Sequence, residues 1–186
     1  LNKFSFALSE TAATAAELNS IVAKTSVAPD FSKITLIEAS DAAAIKTLYT
    51  STTTGLANEN IKVNDTAINA KDLNTINGYT TGLVTPTAAT SITGEVSDVK
   101  SLLDTLVNQV TASQLGITLA NNKTTLPITI TDATVDATKL LAVVGHAAHN
   151  ALVTVTSTTI SGPKADIGTL LLSASTVVTG LDAINA

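Results

Sequence analysis

The chain has 186 residues and a net charge of −5; Thr and Ala alone make up about a third of it, and Cys, Met, Trp and Arg are absent. A hydrophobic share of 45% is too high for a disordered polymer, whereas 13% charged and 3% aromatic residues supply few groups for a catalytic or ligand-binding site. The ten Lys stand singly, so no basic patch for nucleic acid is visible, and the lack of Cys excludes disulfides and thiolate metal sites.

Residues 1–60 contain two predicted strands and two predicted helices. Phe4 and Phe6 alternate in FSFAL (residues 4–8), a pattern typical of a strand that would close the end of the fold or pack against a neighbour. Residues 10–21 carry Ala15, Leu18 and Ile21 at helical spacing. The β-branched run at 34–37 predicts the second strand, and residues 44–49 predict the second helix.

Residues 61–127 repeat this order and add a loop. Short strands are predicted at 61–63, 83–85 and 91–93. The two helices are predicted in 65–76, with Ala70, Leu73 and Ile76 on one face, and in 92–103, with Val99, Leu102 and Leu103 on one face. Residues 114–127 are predicted as a longer loop with a strand candidate at 116–119.

Residues 128–186 complete the pattern. Strands are predicted at 128–131, 152–156 and 158–161. Ala137, Leu140 and Val143 give the helix in 132–143 the same apolar spacing as its two counterparts, and residues 160–171 predict the last helix.

Polar residues and Gly mark the predicted ends of these helices. The N-cap candidates, whose side chains would accept backbone N–H groups, are Asp65-Thr66, Ser97-Asp98 and Asp132. The candidates for a left-handed residue just after a helix are Gly55, Gly82 and Gly180.

The elements belong to two motifs that recur in step. The first motif occurs at 10–21 (ETAATAAELNSI), 65–76 (DTAINAKDLNTI) and 132–143 (DATVDATKLLAV). The second occurs at 92–103 (ITGEVSDVKSLL) and 160–171 (ISGPKADIGTLL), with a weaker copy at 44–49 that aligns with 98–103. Both series advance by almost the same distance, from 10 to 65 and from 44 to 98 in the first step, and from 65 to 132 and from 92 to 160 in the second. The chain therefore divides into three units, 1–60, 61–127 and 128–186.

The predicted fold is an α/β repeat array in which short strands alternate with short helices. Its six half-repeats, of about 30 residues each, would stack as a solenoid-like sheet covered by helices, with one strand ladder running through all of them. The alternative is three separate small domains, each with a marginal core because about 60 residues with so few aromatic rings bury little surface.

Residues 65–105 resemble a known class of repeat. The elements D-L-N-T-I, T-T-G-x-V, S-I-T-G and D-V-K-S-L in this segment are similar to those in the Thr-, Ala- and Asp-rich tandem repeats of very long bacterial cell-surface proteins, particularly those of cyanobacteria. The resemblance implies an extracellular structural or adhesive stalk, and it implies no catalytic residues.

Two sets of residues are candidates for a metal site. His146 and His149 are spaced i, i+3, but they occur in one copy only, where Tyr79 stands opposite His146, and no acidic neighbour in the sequence supplies a third ligand. The acidic candidates for calcium each stand alone at a predicted helix start, where a capping role explains them; they are Asp65, Asp98, Asp132 and Asp166. We therefore expect no metal, cofactor or catalytic residues.

The sequence thus predicts a non-catalytic structural protein, outside the cell or at its surface, that serves as a stalk, fibre or surface-layer element. The alternative is an adhesion module that binds a glycan or other ligand through the loop at 121–125 or the His146 and His149 corner. A polymerising subunit is a third hypothesis, because a terminal strand leaves backbone groups for another chain. The expected partners are neighbouring repeats, further copies of the chain and, for the adhesion module, surface glycans. Nucleic acid is not an expected partner, because the sequence has no basic patch. Membrane insertion is not expected either, because the apolar runs are shorter than the roughly 20 residues that a membrane helix needs.

Overall fold

The structure is a computed structural model, and it describes residues 1–108, 124–148, 151–173 and 178–180. Within these residues there are six helices: α1 (Ala15–Val22), α2 (Ala42–Thr50), α3 (Ala70–Asn77), α4 (Val96–Asn108), α5 (Ala137–His146) and α6 (Lys164–Ser173). The strands are β1 (Ala12–Thr14), β2 (Leu36–Ser40), β3 (Asn60–Val63), β4 (Ala67–Asn69), β5 (Val84–Pro86), β6 (Ser91–Gly94), β7 (Ile128–Ile130), β8 (Thr134–Asp136), β9 (Val153–Val155), β10 (Thr159–Ser161) and β11 (Val178–Thr179).

The fold is mixed α/β, and the paired strands are parallel. The strands form a four-stranded sheet in the order β1-β2-β3-β5, a five-stranded sheet in the order β11-β9-β7-β6-β4, and the pair β10-β8. The prediction of one ladder through every half-repeat is therefore wrong for the described strands, which divide among three sheets.

A difference between two spacings explains this division. Paired strands lie roughly two dozen positions apart in the chain, as Ala12 pairs with Leu36 and Leu36 with Asn60, and we call this interval the strand spacing. Among the described pairs, only β6 and β7, on either side of residues 109–123, are further apart. Helices begin at positions 15, 42, 70 and 96, and again at 137 and 164, so they recur at a slightly longer interval. Each helix therefore begins a little later relative to the sheet, and a new strand forms in the extra length.

All three copies of the first motif fold in the same way. In each copy a three-residue strand runs directly into a helix, as β1–α1, β4–α3 and β8–α5. The helices of these copies each begin with a buried Ala, namely Ala15, Ala70 and Ala137, and α2 begins with buried Ala42. A small first side chain lets the start of a helix lie close to the neighbouring chain.

The described chain forms two compact units, each with its own core. One unit contains the four-stranded sheet, in residues 1–65 and 75–88, and buries Ile37, Ile61 and Val84 on the inward side of that sheet. The other contains residues 66–74, 89–108 and the described residues from 124 on, and its five-stranded sheet buries Ile92, Ile128 and other apolar residues.

Most of the predicted elements are confirmed, but the strand at residues 4–8 is wrong. This segment makes only an isolated bridge, between Ala7 and Asp30, and the side chain of Phe4 is 71% exposed. The strand candidate at 116–119 lies outside the described residues, as does all of the 114–127 loop except its last four residues.

The Gly residues predicted to end helices have a different role. Gly55 and Gly82 each lie five residues beyond the ends of α2 and α3, too far to be the residue that closes a helix. A Cβ on Gly82 would lie 2.3 Å from the carbonyl oxygen of Glu59, and one on Gly55 would lie 2.4 Å from the backbone nitrogen of Ser32. Both positions need Gly because another stretch of backbone passes so close that a Cβ would collide with it.

Candidate functional site

Asp65 and Asp132 bind a helix start, but not the start of the helix that follows each of them. Asp65 accepts a hydrogen bond from the backbone N–H of Ala42, the first residue of α2, at 2.8 Å, and Asp132 accepts one from Val96, the first residue of α4, at 2.6 Å. Ser40 does the same for Ala15 of α1. The prediction that Asp65 and Asp132 cap the helices that follow them is therefore wrong. A short strand, β4 or β8, separates each Asp from that helix.

The prediction of Ser97 and Asp98 as N-caps is wrong, because α4 begins at Val96, before both residues. Asp98 and Asp166 stand in the first turns of α4 and α6, where a carboxylate is favourable beside the positive end of the helix dipole. Asp166 also accepts a hydrogen bond of 2.6 Å from the hydroxyl of Thr138 on α5. Within the described residues, no three His, Asp or Glu side chains converge as metal ligands do.

His146 has an acidic partner that the sequence does not reveal. It is the last residue of α5, and its Nε2 lies 3.2 Å from Oδ1 of Asp104 on α4, far earlier in the chain. Nζ of Lys100 lies 2.5 Å from the other oxygen of Asp104. His149 lies outside the described residues, so its predicted pairing with His146 stays a prediction.

Electrostatics favour the ionised form of Asp104. The hydrogen bond from Lys100 lowers the pKa of the Asp104 carboxyl below its usual value, against the raising effect of partial burial, and the hydrogen bond with His146 lowers that pKa further. With 38% of the Asp104 side chain exposed, the cluster is a partly solvated link between two packed helices.

Two Tyr rings and a buried carboxylate form a second polar cluster. The rings of Tyr49 and Tyr79 stack with centroids 4.8 Å apart and planes within 8°. The Tyr49 hydroxyl donates to Glu59, which is only 2% exposed and also accepts backbone N–H bonds from Ala57 at 2.9 Å and Asn58 at 3.1 Å. Both carboxylate oxygens are thus occupied by donors of the chain itself, which is what the burial of a carboxylate requires.

A recurrent hydrogen-bond arrangement involves six Thr residues and one Ser of the described chain. We call it a hydroxyl clamp: an exposed Thr or Ser whose backbone N–H and side-chain hydroxyl both donate to one carbonyl oxygen, about one strand spacing earlier in the chain. Thr90, for example, reaches the carbonyl of Thr66 at 2.8 Å from its nitrogen and 3.1 Å from its hydroxyl. The clamp residues are Ser26, Thr35, Thr54, Thr81, Thr87, Thr90 and Thr156.

A row of polar side chains also crosses the outward side of the five-stranded sheet. Register places Asn69, Thr93, Thr129, Thr154 and Thr179 next to one another, one from each strand. The hydroxyls of Thr154 and Thr179 are 3.3 Å apart and hydrogen-bonded. This row follows from the strand register, which the sequence pattern alone did not supply.

Apolar surface is exposed beside α1. A groove of about 410 Å³ is lined by Phe6, Ala7, Leu8, Ser20, Ile21 and Lys24. Among the described helices, none combines the length and apolar character that crossing a bilayer requires.

Comparison with known proteins adds no relative: no family model matches the chain, and neither the curated proteins nor the solved structures contain a match.

Proposed function

We propose that this chain is an extracellular structural protein, built as a solenoid-like repeat array, that serves as a non-catalytic stalk, fibre or surface-layer element. The hydroxyl clamps are the observation that carries this proposal. The clamp residues use both of their donors to hold the chain to the stretch one strand spacing earlier. Hydroxyls used in this way contribute to packing rather than to a ligand site.

The motif alignment supports the array. Copies of the first motif begin at positions 10, 65 and 132, and the strands β1, β4 and β8 each begin two positions into a copy, at Ala12, Ala67 and Thr134. An array that grows by adding such units needs only nearest-neighbour contacts, which is how repeat proteins extend over long distances. The resemblance of residues 65–105 to bacterial surface repeats supports the extracellular location.

Immunogold labelling of intact source cells, with an antibody raised against this chain, tests the proposal. We expect gold at the cell surface without permeabilisation, and we expect protease added to intact cells to remove the label. Labelling that appears only after permeabilisation would contradict the extracellular role. A protein with a known intracellular location, labelled on the same cells, provides the control for intact membranes.

A further inference from the structure

We propose that the free flank of α1 is a docking site for α6 of a second copy of this chain, so that copies join head to tail. The inference rests on the proposed function, because it names the partner that would lengthen the array. It is carried by the surfaces of the first and last described helices.

The groove lies on the flank of α1 that faces away from α2. Nδ2 of Asn19 donates to the carbonyl of Ala44 on α2 at 2.9 Å, so the Asn19 side of α1 faces its neighbour. At 3.6 residues per turn, Ile21 lies about 200° around the helix from Asn19, and Glu17 about 160°. The groove continues past Ile21 into an adjoining hollow of about 470 Å³ that reaches Ala13 of the edge strand β1.

Ile21 lacks the cover that its counterparts have. It is the third apolar residue of the α1 stripe, six positions after Ala15, and it remains partly exposed. The residues at the same position in α2, α3 and α5 are Leu48, Ile76 and Val143, and all three are fully buried. The apolar face of α1 is therefore partly exposed at Ile21, on the flank that faces away from α2.

The helix α6 presents apolar residues on the flank opposite α5, where no other described helix packs. The hydrogen bond from Thr138 of α5 to Asp166 identifies the side of α6 that faces α5. Leu171 and Leu172 lie about 140° and 240° around the helix from Asp166, on the opposite side. Leu171 and Leu172 are 49% and 87% exposed, so they form an apolar ridge at the surface.

Contact between this ridge and the α1 groove would continue a contact that the chain already makes. Helices α1 and α2, α4 and α5, and α5 and α6 pack side by side, and in each pair the later helix covers a flank of the earlier one. In a pair of copies, α1 of the second would cover the flank of α6 against which no described helix of the first packs. Such a heterologous contact leaves a groove and a ridge free at the two ends, so it permits growth beyond a dimer.

Sedimentation velocity over a range of concentrations, with electron microscopy of the same samples, tests the inference. We expect the wild type to form species larger than the monomer. Ser20→Arg fills the groove at an exposed position where Arg favours the helix, and Leu172→Glu places a charge on the ridge. Each variant should weaken association by about tenfold or more, as expected for a change at the centre of an interface. Leu152→Glu, at a Leu that is 44% exposed and belongs to neither surface, is the matched control and should associate like the wild type.

Mixing the two variants distinguishes head-to-tail contact from symmetric pairing. Ser20→Arg keeps its ridge and Leu172→Glu keeps its groove, so the mixture should form heterodimers that neither variant forms alone. A wild type that stays monomeric at every concentration, variants that associate like the wild type, or a mixture that stays monomeric would each overturn the inference. A monomeric chain that is labelled at the cell surface would overturn the docking alone, whereas a chain that assembles but is found inside the cell would overturn the proposed function alone.

Discussion

Single Thr residues have a defined structural role in this chain. In a hydroxyl clamp the backbone N–H and the hydroxyl of one residue share a carbonyl acceptor on the chain one strand spacing earlier, as Thr156 does with Ile130 at 3.1 and 2.9 Å. The clamp residues are exposed, so water competes for each hydroxyl and the net contribution of one bond is at the low end of the ~0.5–1.5 kcal/mol range. Because the clamp recurs along the chain, these small contributions to the free energy of unfolding add up.

Replacement of one clamp hydroxyl tests this role. We expect Thr156→Val to lower the free energy of unfolding by about 0.5–1 kcal/mol, because Val keeps the shape and the backbone bond of Thr but loses the hydroxyl bond. Thr156→Ser should keep most of the stability. Urea denaturation measures the difference.

Thr134→Val is the control for that measurement. Thr134 is also exposed and lies in the short strand β8, whereas Thr156 directly follows β9; the Thr134 hydroxyl has no partner among the described residues. A loss of stability as large in Thr134→Val as in Thr156→Val would show that the clamp bond is not responsible.

At the residue scale the sequence predicts the type of interaction better than the partner. Asp65 and Asp132 were expected to bind backbone N–H groups at a helix start, and they do, but at the starts of α2 and α4. The partners depend on which stretches of chain lie side by side, and the local sequence contains no information on that. The same holds for His146, whose partner Asp104 is far away along the chain.

At the scale of elements, the packed helices α4 and α5 are joined by a pH-sensitive link. The pKa of Asp104 is lowered in the folded protein, first by Lys100, so its ionised form stabilises the fold at any pH above the ordinary value of 3.8. That contribution is lost as the pH falls from about 4 through the lowered pKa of the folded state.

We expect Asp104→Asn to be less stable than the wild type at pH 7, by less than about 1 kcal/mol because the pair is partly exposed. The difference should shrink below pH 4, where the wild type also loses the charge. Thermal unfolding followed by circular dichroism across this pH range measures it.

Lys100→Met serves as the partner variant. Because Lys100 is the main cause of the lowered pKa of Asp104, this variant and the double variant should both resemble Asp104→Asn, with effects that do not add. A stability difference that stays constant down to pH 2 would contradict the account of this link.

The existence of most helices and strands could be predicted, because apolar spacing and β-branched runs are local signals. The helix in 65–76, for example, appears as α3 with its stripe of Ala70, Leu73 and Ile76 buried. The strand at 4–8 failed because alternation of Phe4 and Phe6 requires a sheet to pack on, and only Ala7 makes a bridge. The clusters around Glu59 and Asp104 were missed because they join residues from different elements.

At the scale of the whole molecule, the division of the described strands among three sheets follows from two unequal spacings along the chain. Paired strands recur at a shorter interval than helices do, apart from the steps that span residues 109–123. Motif alignment detects that units recur, but it gives no strand register, and the register decides how many sheets form. For that reason the sequence predicted one ladder where the described strands form three sheets.

Disulfide cross-linking of register partners tests the central claim, that successive stretches of chain, each one strand spacing long, lie side by side in parallel. The chain has no Cys of its own, so engineered pairs report without background. Lys62 with Thr85, and Thr129 with Thr154, are outward-facing partners in the two larger sheets. Adjacent strands lie about 4.8 Å apart, within the roughly 4.4–6.8 Å between Cα atoms that a disulfide spans.

The control pair combines Thr129→Cys with Leu152→Cys. Because Thr129 pairs with Thr154, these two positions are two residues out of register on the same side of the sheet. Diagonal neighbours of this kind are about 7–8 Å apart, beyond the reach of an unstrained disulfide. We predict that mild oxidation cross-links both register pairs within the monomer and leaves the 129 and 152 pair reduced. Equal cross-linking of the register and diagonal pairs, or no cross-linking of the register pairs, would contradict the account.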